Sequence, residues 1–307
     1  MATVAAKSDR VVLGVLCMMT FSIFGPLIDA FAKLVPSEIP VGQIIAARFT
    51  VQGFMLLPMA AFFGWLHRPN CHELGLHIVR AALILLATGC FVAAIRVMPL
   101  ADAIAIFFVE PFILTLLGGF LLGEAVGPRR IIACLVGFGG ALLVIKPSFA
   151  AFGPVAMFPL GTALCFAFYM VLTRRMAVAM HPVTLQAYTA IAAIGLAFPV
   201  LWFFDGSGSA VLDPTFPERY GFLMLLGVGM SATIAHIFVS FALSLAPAAT
   251  IAPLQYLEIV AATALGYWIF SDLPDALTFL GIAIIVSSGI YVFTRERRLS
   301  RLPTPPP

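Results

Sequence analysis

The sequence predicts an all-α integral membrane protein with ten transmembrane helices, arranged as two inverted five-helix repeats. Of its 307 residues, 62% are hydrophobic and 10% are charged, whereas a soluble globular domain has about 45–50% apolar and about 25% charged residues. The apolar residues form ten long runs, and one segment recurs 148 residues further along the chain. The composition argues against nucleic-acid binders, disordered proteins and ordinary cytosolic enzymes.

Each apolar run has close to the roughly 20 residues that a helix needs to cross the hydrocarbon core. The runs are continuous, and they do not alternate as the strands of a membrane barrel do. The first run exceeds a signal-peptide core of about 7–15 residues, so we expect it to remain as the first helix. The predicted helices are 11–32, 41–63, 79–97, 101–123, 129–146, 154–174, 184–204, 220–244, 248–270 and 276–294.

Lys and Arg residues predict the orientation of these helices. With the N-terminus inside, twelve of the 17 lie in inner segments, four lie in outer segments, and Arg48 lies within a span. Inner loops of membrane proteins carry this excess of positive charge. We therefore expect both termini in the cytoplasm.

The internal repeat pairs the fourth run with the ninth. Without a gap, Pro99 aligns with Pro247 and Glu110 aligns with Glu258. A repeat of five helices must enter the membrane from the opposite side, an architecture with a binding site near the midplane in many secondary transporters. The predicted units are residues 1–147 and 148–296, followed by a Pro-rich cytoplasmic tail at 297–307.

Glu110 and Glu258 are the first candidates for a functional site, because an ionisable group in a span costs about 2.5–3.5 kcal/mol on insertion scales. Each is expected either to bind a proton or a cationic part of a substrate, or to join helices as a neutral hydrogen-bonding group. On straight helices Phe107 shares a face with Glu110, and Gln255 shares one with Glu258. Tyr256 reaches the same cavity only if a nearby proline bends the helix.

A second group of candidates lies toward the outer ends of the spans. Asp29 and Lys33 are four residues apart on one helix, which favours an ion pair. Arg48 is predicted to pair with Asp29 or Asp102, or else to meet a substrate carboxylate. Arg96 and Asp102 flank the outer turn between spans three and four. These charges are expected to form a gate or structural ion pairs.

His236 belongs to a stripe of small and polar residues, with Gly229, Thr233, Ser240 and Ser244 at helical spacing. Lipid disfavours such a face, so it is expected to pack against another helix, with His236 as a candidate for the cavity. The segment HRPNCHELGLH has the composition of a metal site. The two histidines of its HExxxH stretch, His72 and His77, are five residues apart and do not share a helix face, so we predict a cytoplasmic interfacial segment and no metal.

The segments PLADAIAIFFVEPFILTLLGGFLLGE and APLQYLEIVAATALGYWIFSDLPD resemble the drug/metabolite transporter superfamily, in its EamA-like branch. The resemblance covers essentially the whole chain. It implies a ten-helix carrier in the plasma membrane (the bacterial inner membrane) that moves a small organic metabolite without a cofactor, with a proton as a candidate coupling ion. The stretch APLQYLE is similar to members that take up S-adenosylmethionine or riboflavin.

The sequence leaves three other functions open: an exporter, a membrane enzyme and a scaffold. The same fold is used to export amino acids or drug-like metabolites. An integral-membrane enzyme or a non-transporting scaffold belongs to a different class. The sequence contains no G-x-S-x-G, P-loop or G-x-G-x-x-G motif, which argues against an enzyme and against ATP-driven transport.

Overall fold

The computed structural model describes residues 2–122, 128–246, 254–255 and 257–299. Within these ranges the longer regular elements are α-helices, with 3-10 turns between some of them and no strand. The helices are α1 Ala2–Leu34, α2 Val41–Phe62, α3 Cys71–Ile95, α4 Leu100–Phe107, α5 Glu110–Leu122, α6 Pro128–Phe152, α7 Phe158–Ala177, α8 Pro182–Phe203, α9 Arg219–Leu245, α10 Leu257–Phe270 and α11 Ala276–Leu299.

Seven stretches of the described chain are long and apolar enough to cross a membrane. One of them, Ile131–Ala177, has 47 residues and contains two helices, α6 and α7. Two further apolar helices, Leu257–Phe270 and Ala276–Ser288, are shorter. Large apolar side chains such as Phe54 and Trp202 are more than four-fifths exposed, as expected of side chains that face lipid.

Helix α3 begins earlier than the sequence predicts. The Asn70 side chain accepts a hydrogen bond from the Glu73 amide (2.8 Å), and the Glu73 side chain accepts one from the Asn70 amide (3.0 Å). This reciprocal cap starts the helix at Cys71. Residues 71–78, predicted to be a loop, are therefore helical. Arg80, predicted to lie in an inner segment, is instead fully buried within the helix.

The predicted fourth helix, 101–123, is divided into two. Helix α4 ends at Phe107, and α5 begins at Glu110 after a two-residue turn. Pro111 explains the break, because it has no amide hydrogen and its ring interferes with the carbonyl group four residues earlier. Phe107 and Glu110 therefore do not share one face, as they would on a straight helix.

The helices pack in a regular pattern around the core. Helix α1 lies against α9 and α10, α7 lies against α3 and α5, and α2 and α3 both contact α8. Helix α2 also contacts α9, α4 contacts α10, and α6 lies along α11. A Cβ built on Gly140 of α6 would meet the Gly281 carbonyl oxygen of α11 at 2.9 Å. The absence of a side chain at Gly140 thus permits this close approach.

Candidate functional site

A cavity lies in the middle of the helix assembly and encloses about 640 Å³ of empty space, including its opening. Residues of α1, α2, α3, α4, α7, α9 and α10 line it. Its aromatic walls are Phe21, Phe91, Phe107 and Phe166, and its charged or titratable groups are Asp29, Arg48, His236 and Glu258.

Glu258 stands in the first turn of α10 and is 7% exposed. Its carboxyl group lies against Gly25 of α1, where an added Cβ would overlap Oε1 of Glu258. In the same contact, Ser22 of α1 donates a hydrogen bond to the Leu254 carbonyl oxygen (3.1 Å). A residue without a side chain on α1 thus makes room for the carboxyl group at the edge of the cavity.

Asp29 lies one helical turn after Gly25 and lines the same cavity. The charges of Asp29 and Glu258 are close enough to interact. Within the described ranges, neither carboxyl group makes a hydrogen bond or an ion pair to another side chain. Two carboxyl groups facing one cavity repel each other when both are ionised, and a cation between them relieves that repulsion.

Arg48 is 4% exposed and contributes its guanidinium group to the cavity. Its Nη1 donates to the Thr88 hydroxyl oxygen, and its Nη2 contacts Nε2 of His236. Its Nε–H is buried and has no partner among the described residues. Asp29 is close enough to interact electrostatically with Arg48, but no ion pair within 4 Å joins Arg48 to Asp29 or Asp102.

His236 is held between Arg48 and Tyr169. A guanidinium group can only donate hydrogen bonds, so Nε2 of His236 must accept one from Arg48. Its other nitrogen, Nδ1, therefore carries the hydrogen and donates to the Tyr169 hydroxyl oxygen at 3.0 Å. The rest of the predicted stripe is a packing surface, because a Cβ on Gly229 would overlap the side chain of Val51.

A second buried arginine lies on the other side of Tyr169. Arg80 donates from Nη2 to the Tyr169 hydroxyl oxygen (2.8 Å), from Nε to Thr173 (2.9 Å), and from Nη1 to the Leu185 carbonyl oxygen (3.2 Å) and to Thr189. Its guanidinium carbon also lies 4.4 Å from the centre of the Tyr169 ring. Arg80 could not be recognised from the sequence as an interior group, because its position next to a charged segment resembles that of a cytoplasmic residue.

Gln186 of α8 joins this group through contacts with α2, α7 and α9. Its Nε2 donates to the His236 carbonyl oxygen (3.0 Å) and to Ser240 (2.7 Å), and it also lies 3.0 Å from the Tyr169 hydroxyl oxygen. Its Oε1 accepts from Nε2 of Gln52 at 3.1 Å. We refer to Arg48, Gln52, Arg80, Tyr169, Gln186 and His236 as the polar network. Gln186 could have been identified from the sequence, because it is a polar amide residue within the apolar run 184–204.

Glu110 does not line the cavity. It is fully buried, and neither of its carboxyl oxygens has a hydrogen-bond partner among the described residues. The Gln255 amide approaches it without completing a hydrogen bond. The repeat predicts that Glu110 and Glu258 share one cavity, but only Glu258 lines it. The second carboxyl group in the cavity is that of Asp29. Tyr256 lies outside the described residues.

Lys33 and Asp102 belong to a separate cluster of charges at the ends of α1, α4 and α10, which excludes Arg96. Lys33 forms an ion pair with Asp272 at 3.0 Å. It does not pair with Asp29, the partner predicted from the spacing, because the Asp29 side chain lines the cavity. Asp102 faces Asp272, Asp275 and Lys33, and Arg96 donates to a backbone carbonyl oxygen, that of Ile39. Arg96 and Asp102 therefore make different contacts.

The chain is similar to known transporters over most of its length. The model of the EamA-like transporter family matches the chain twice, at residues 12–146 and 153–294. The chain is 23% identical to the S-adenosylmethionine uptake transporter of Rickettsia prowazekii (strain Madrid E), over 88% of each protein. It is 26% identical to the riboflavin transporter of Rhizobium johnstonii, over 98% of this chain and 97% of that one.

The chain is also 29% identical to the pseudopaline exporter of Pseudomonas aeruginosa, over 91% of this chain and 94% of that one. A protein of known crystal structure superposes with a TM-score of 0.68 at 17% identity, over 95% of this chain and 99% of the other. At that identity the superposition shows a shared fold and nothing about the substrate.

Proposed function

Because the chain belongs to the EamA-like transporter family, we propose that it is a secondary carrier that works by alternating access. The chain is a transmembrane transporter of a small metabolite and a multi-pass protein of the bacterial inner membrane. The names of the family and of these relatives are those of transporters and not of enzymes.

The carrier has ten transmembrane helices in this proposal. The 47-residue stretch Ile131–Ala177 supports two crossings, since one crossing needs about 20 residues. A 3-10 helix at Gly153–Met157 separates them, beginning at a glycine with φ of 66°. Helix α10 belongs to the ninth crossing, α4 and α5 form the fourth, and α11 belongs to the tenth.

Two inverted halves are supported by the packing pattern. Exchanging the halves turns α1 into α7, α2 into α8, α3 into α9, α4 and α5 into α10, and α6 into α11. The contact of α1 with α9 then becomes that of α7 with α3, and the contact of α2 with α9 becomes that of α8 with α3. The contacts α2–α8, α4–α10 and α6–α11 map onto themselves. The two matches of the family model support the same division of the chain at about residue 148.

Both termini are cytoplasmic in the proposed topology. Moving Arg80 from the inner loops to the interior leaves eleven Lys and Arg residues inside and four outside, which preserves the bias. In this orientation Ala32 and Val92 lie near the outer ends of their helices, while Arg80 lies about 14 Å from the inner end of α3. The cavity then extends toward the outer side, and the polar network closes its inner side.

The observation that carries the substrate proposal is the pair of carboxyl groups at Asp29 and Glu258, which face an aromatic-walled cavity without a described hydrogen-bond partner. Such a site fits a small metabolite with a positive centre and a flat ring, since aromatic faces attract cations and stack on rings. Uptake of a compound related to S-adenosylmethionine or riboflavin is the preferred assignment, supported by the similarity to an S-adenosylmethionine uptake transporter and to a riboflavin transporter. Proton coupling through the same carboxyl groups is part of the proposal.

Flux into proteoliposomes tests this function. Labelled S-adenosylmethionine and labelled riboflavin are presented outside vesicles that contain the purified protein, with and without a proton gradient. We expect saturable accumulation of one of the two. Efflux without uptake would favour the second candidate, export of an amino-acid-like or drug-like metabolite, which the exporter relative supports. Absence of any flux for a broad metabolite panel would refute the carrier mechanism.

A further inference from the structure

We propose that Arg48 binds a carboxylate of the transported molecule, so that the substrate carries a carboxylate as well as a positive centre. This inference rests on the proposed function and specifies the chemistry of the same cavity. It assigns opposite tasks to the charged groups there. Asp29 and Glu258 receive the positive centre, and Arg48 receives the negative group.

The first support is the incomplete set of partners around Arg48. A guanidinium group has five N–H donors, and it needs acceptors for them when it is buried. Thr88 and His236 supply two neutral acceptors, Nε–H has none among the described residues, and no carboxylate lies within ion-pair distance. Leaving a buried charged donor unpaired is costly. A carboxylate bound in the cavity that Arg48 lines would provide the missing negative charge.

The contrast with Arg80 strengthens this argument. Arg80 is also buried without an acidic partner, but two threonines, a tyrosine and a backbone carbonyl accept its hydrogen bonds. It also does not line the cavity. Arg80 is therefore a structural cation that the protein itself solvates, whereas Arg48 faces the cavity with donor capacity to spare.

The polar network holds Arg48 in place for this task. Arg80 and the Nδ1–H of His236 both donate to the Tyr169 oxygen. This leaves Nε2 of His236 as an acceptor directed at Arg48. The ring of His236 thus has one tautomer and one orientation, and Thr88 fixes the other end of the guanidinium group. A fixed guanidinium group loses less entropy when it binds a carboxylate than a free one does.

The charges in the cavity also favour S-adenosylmethionine over riboflavin as the kind of compound that binds there. S-adenosylmethionine carries a sulfonium, an ammonium and a carboxylate group beside its adenine ring. Two carboxyl groups and one guanidinium group in the cavity are the complement of that set. Riboflavin has a flat ring but neither a permanent cation nor a carboxylate, so it leaves these three groups without partners. The inference therefore favours a zwitterionic substrate with a ring.

The test compares S-adenosylmethionine with its decarboxylated analogue, which keeps the sulfonium, amine and adenine groups. Binding of each probe to the detergent-purified protein is measured by titration calorimetry for wild type, Arg48→Gln and Arg48→Lys. Arg96→Gln is the matched control, because Arg96 lies outside the cavity and donates to the backbone. Melting curves establish that each variant is folded, and Arg48→Lys keeps the test valid if Arg48→Gln does not fold.

We expect Arg48→Gln to weaken binding of S-adenosylmethionine by about 10- to 100-fold, as for loss of a charge-assisted hydrogen bond. Binding of the decarboxylated analogue should change by less than about threefold, and Arg48→Lys should be intermediate for the first probe. Equal losses for both probes, or no loss for either, would overturn the assignment of Arg48 and leave the proposed carrier intact. Failure of the wild type to bind either probe would refute the cationic substrate class, and the assignment with it.

Discussion

Replacing Glu258 with glutamine keeps the size of the side chain and removes its charge, so it tests the acidic side of the cavity. Glu258 lines the cavity, and the carboxyl group of Asp29 is the second acidic group there. The Glu258 side chain makes no hydrogen bond to another described residue, so the substitution removes no such bond from the folded protein. We therefore expect Glu258→Gln to fold normally and to lose most concentrative uptake.

The size of the effect follows from the contact that is lost. A hydrogen bond to a charged group contributes about 1.5–3 kcal/mol, which corresponds to roughly 10- to 150-fold in the dissociation constant. Asp29 remains to hold part of the positive charge, so we expect the lower half of this range. Glu110→Gln is the matched control, because Glu110 is fully buried and does not line the cavity. Its effect on uptake should be the smaller one.

The assay is substrate flux into proteoliposomes at several external pH values, for wild type and both variants. If the carboxyl group of Glu258 exchanges protons during the cycle, uptake by Glu258→Gln should lose most of its dependence on pH. Flux at the wild-type level with unchanged pH dependence would refute the binding role of Glu258 and leave it a packing group. A larger loss in Glu110→Gln than in Glu258→Gln would show that the cavity was assigned to the wrong glutamate.

The remaining predictions concern topology and stability. Reporter fusions after Arg298 and in the loop 205–219 should report opposite sides of the membrane, and finding both on one side would contradict the proposed topology. Arg80→Met should lower the free energy of unfolding by about 2–3 kcal/mol, because buried acceptors lose their donor, and an unchanged melting temperature would show that the network adds no stability. Asp275→Ala should cost about 1 kcal/mol, because its carboxylate accepts from the Thr278 amide (2.7 Å) at the start of α11, while Asp275→Asn should retain most of the cap. That bond lowers the pKa of Asp275, so the advantage of wild type over Asp275→Asn is present at neutral pH and decreases as the pH falls through the lowered pKa.

Several residues of the cavity can be found from the sequence because burial of a charge in an apolar run is itself visible there. Asp29, Arg48, His236 and Glu258 are all titratable groups inside predicted spans, and all four line the cavity. The energetic cost of such groups in lipid makes each of them a candidate before any fold is known. The spacing within one helix also predicts a packing surface of small residues around His236, and Gly229 of that surface lies against Val51 of α2.

Local spacing does not determine which polar groups meet. Lys33 is four residues from Asp29, yet it pairs with Asp272, 239 residues away. Arg48 meets His236 across 188 residues and Thr88 across 40. These pairs depend on how α1, α2, α3, α9 and α10 pack, and the helix pattern leaves that packing open because several faces of each helix are equally apolar.

By itself, therefore, the sequence determined that the chain is a helical membrane protein and that Asp29, Arg48, His236 and Glu258 lie inside it, since both follow from the cost of transferring residues into hydrocarbon. The tertiary structure decided the roles of those groups. Because the helix breaks before Pro111, Phe107 lines the cavity and Glu110 does not. Because α3 begins at the Asn70 cap, Arg80 lies within the helix and is buried. Each outcome depends on the exact path of the backbone, because a shift of one or two residues on a helix moves a side chain to another face.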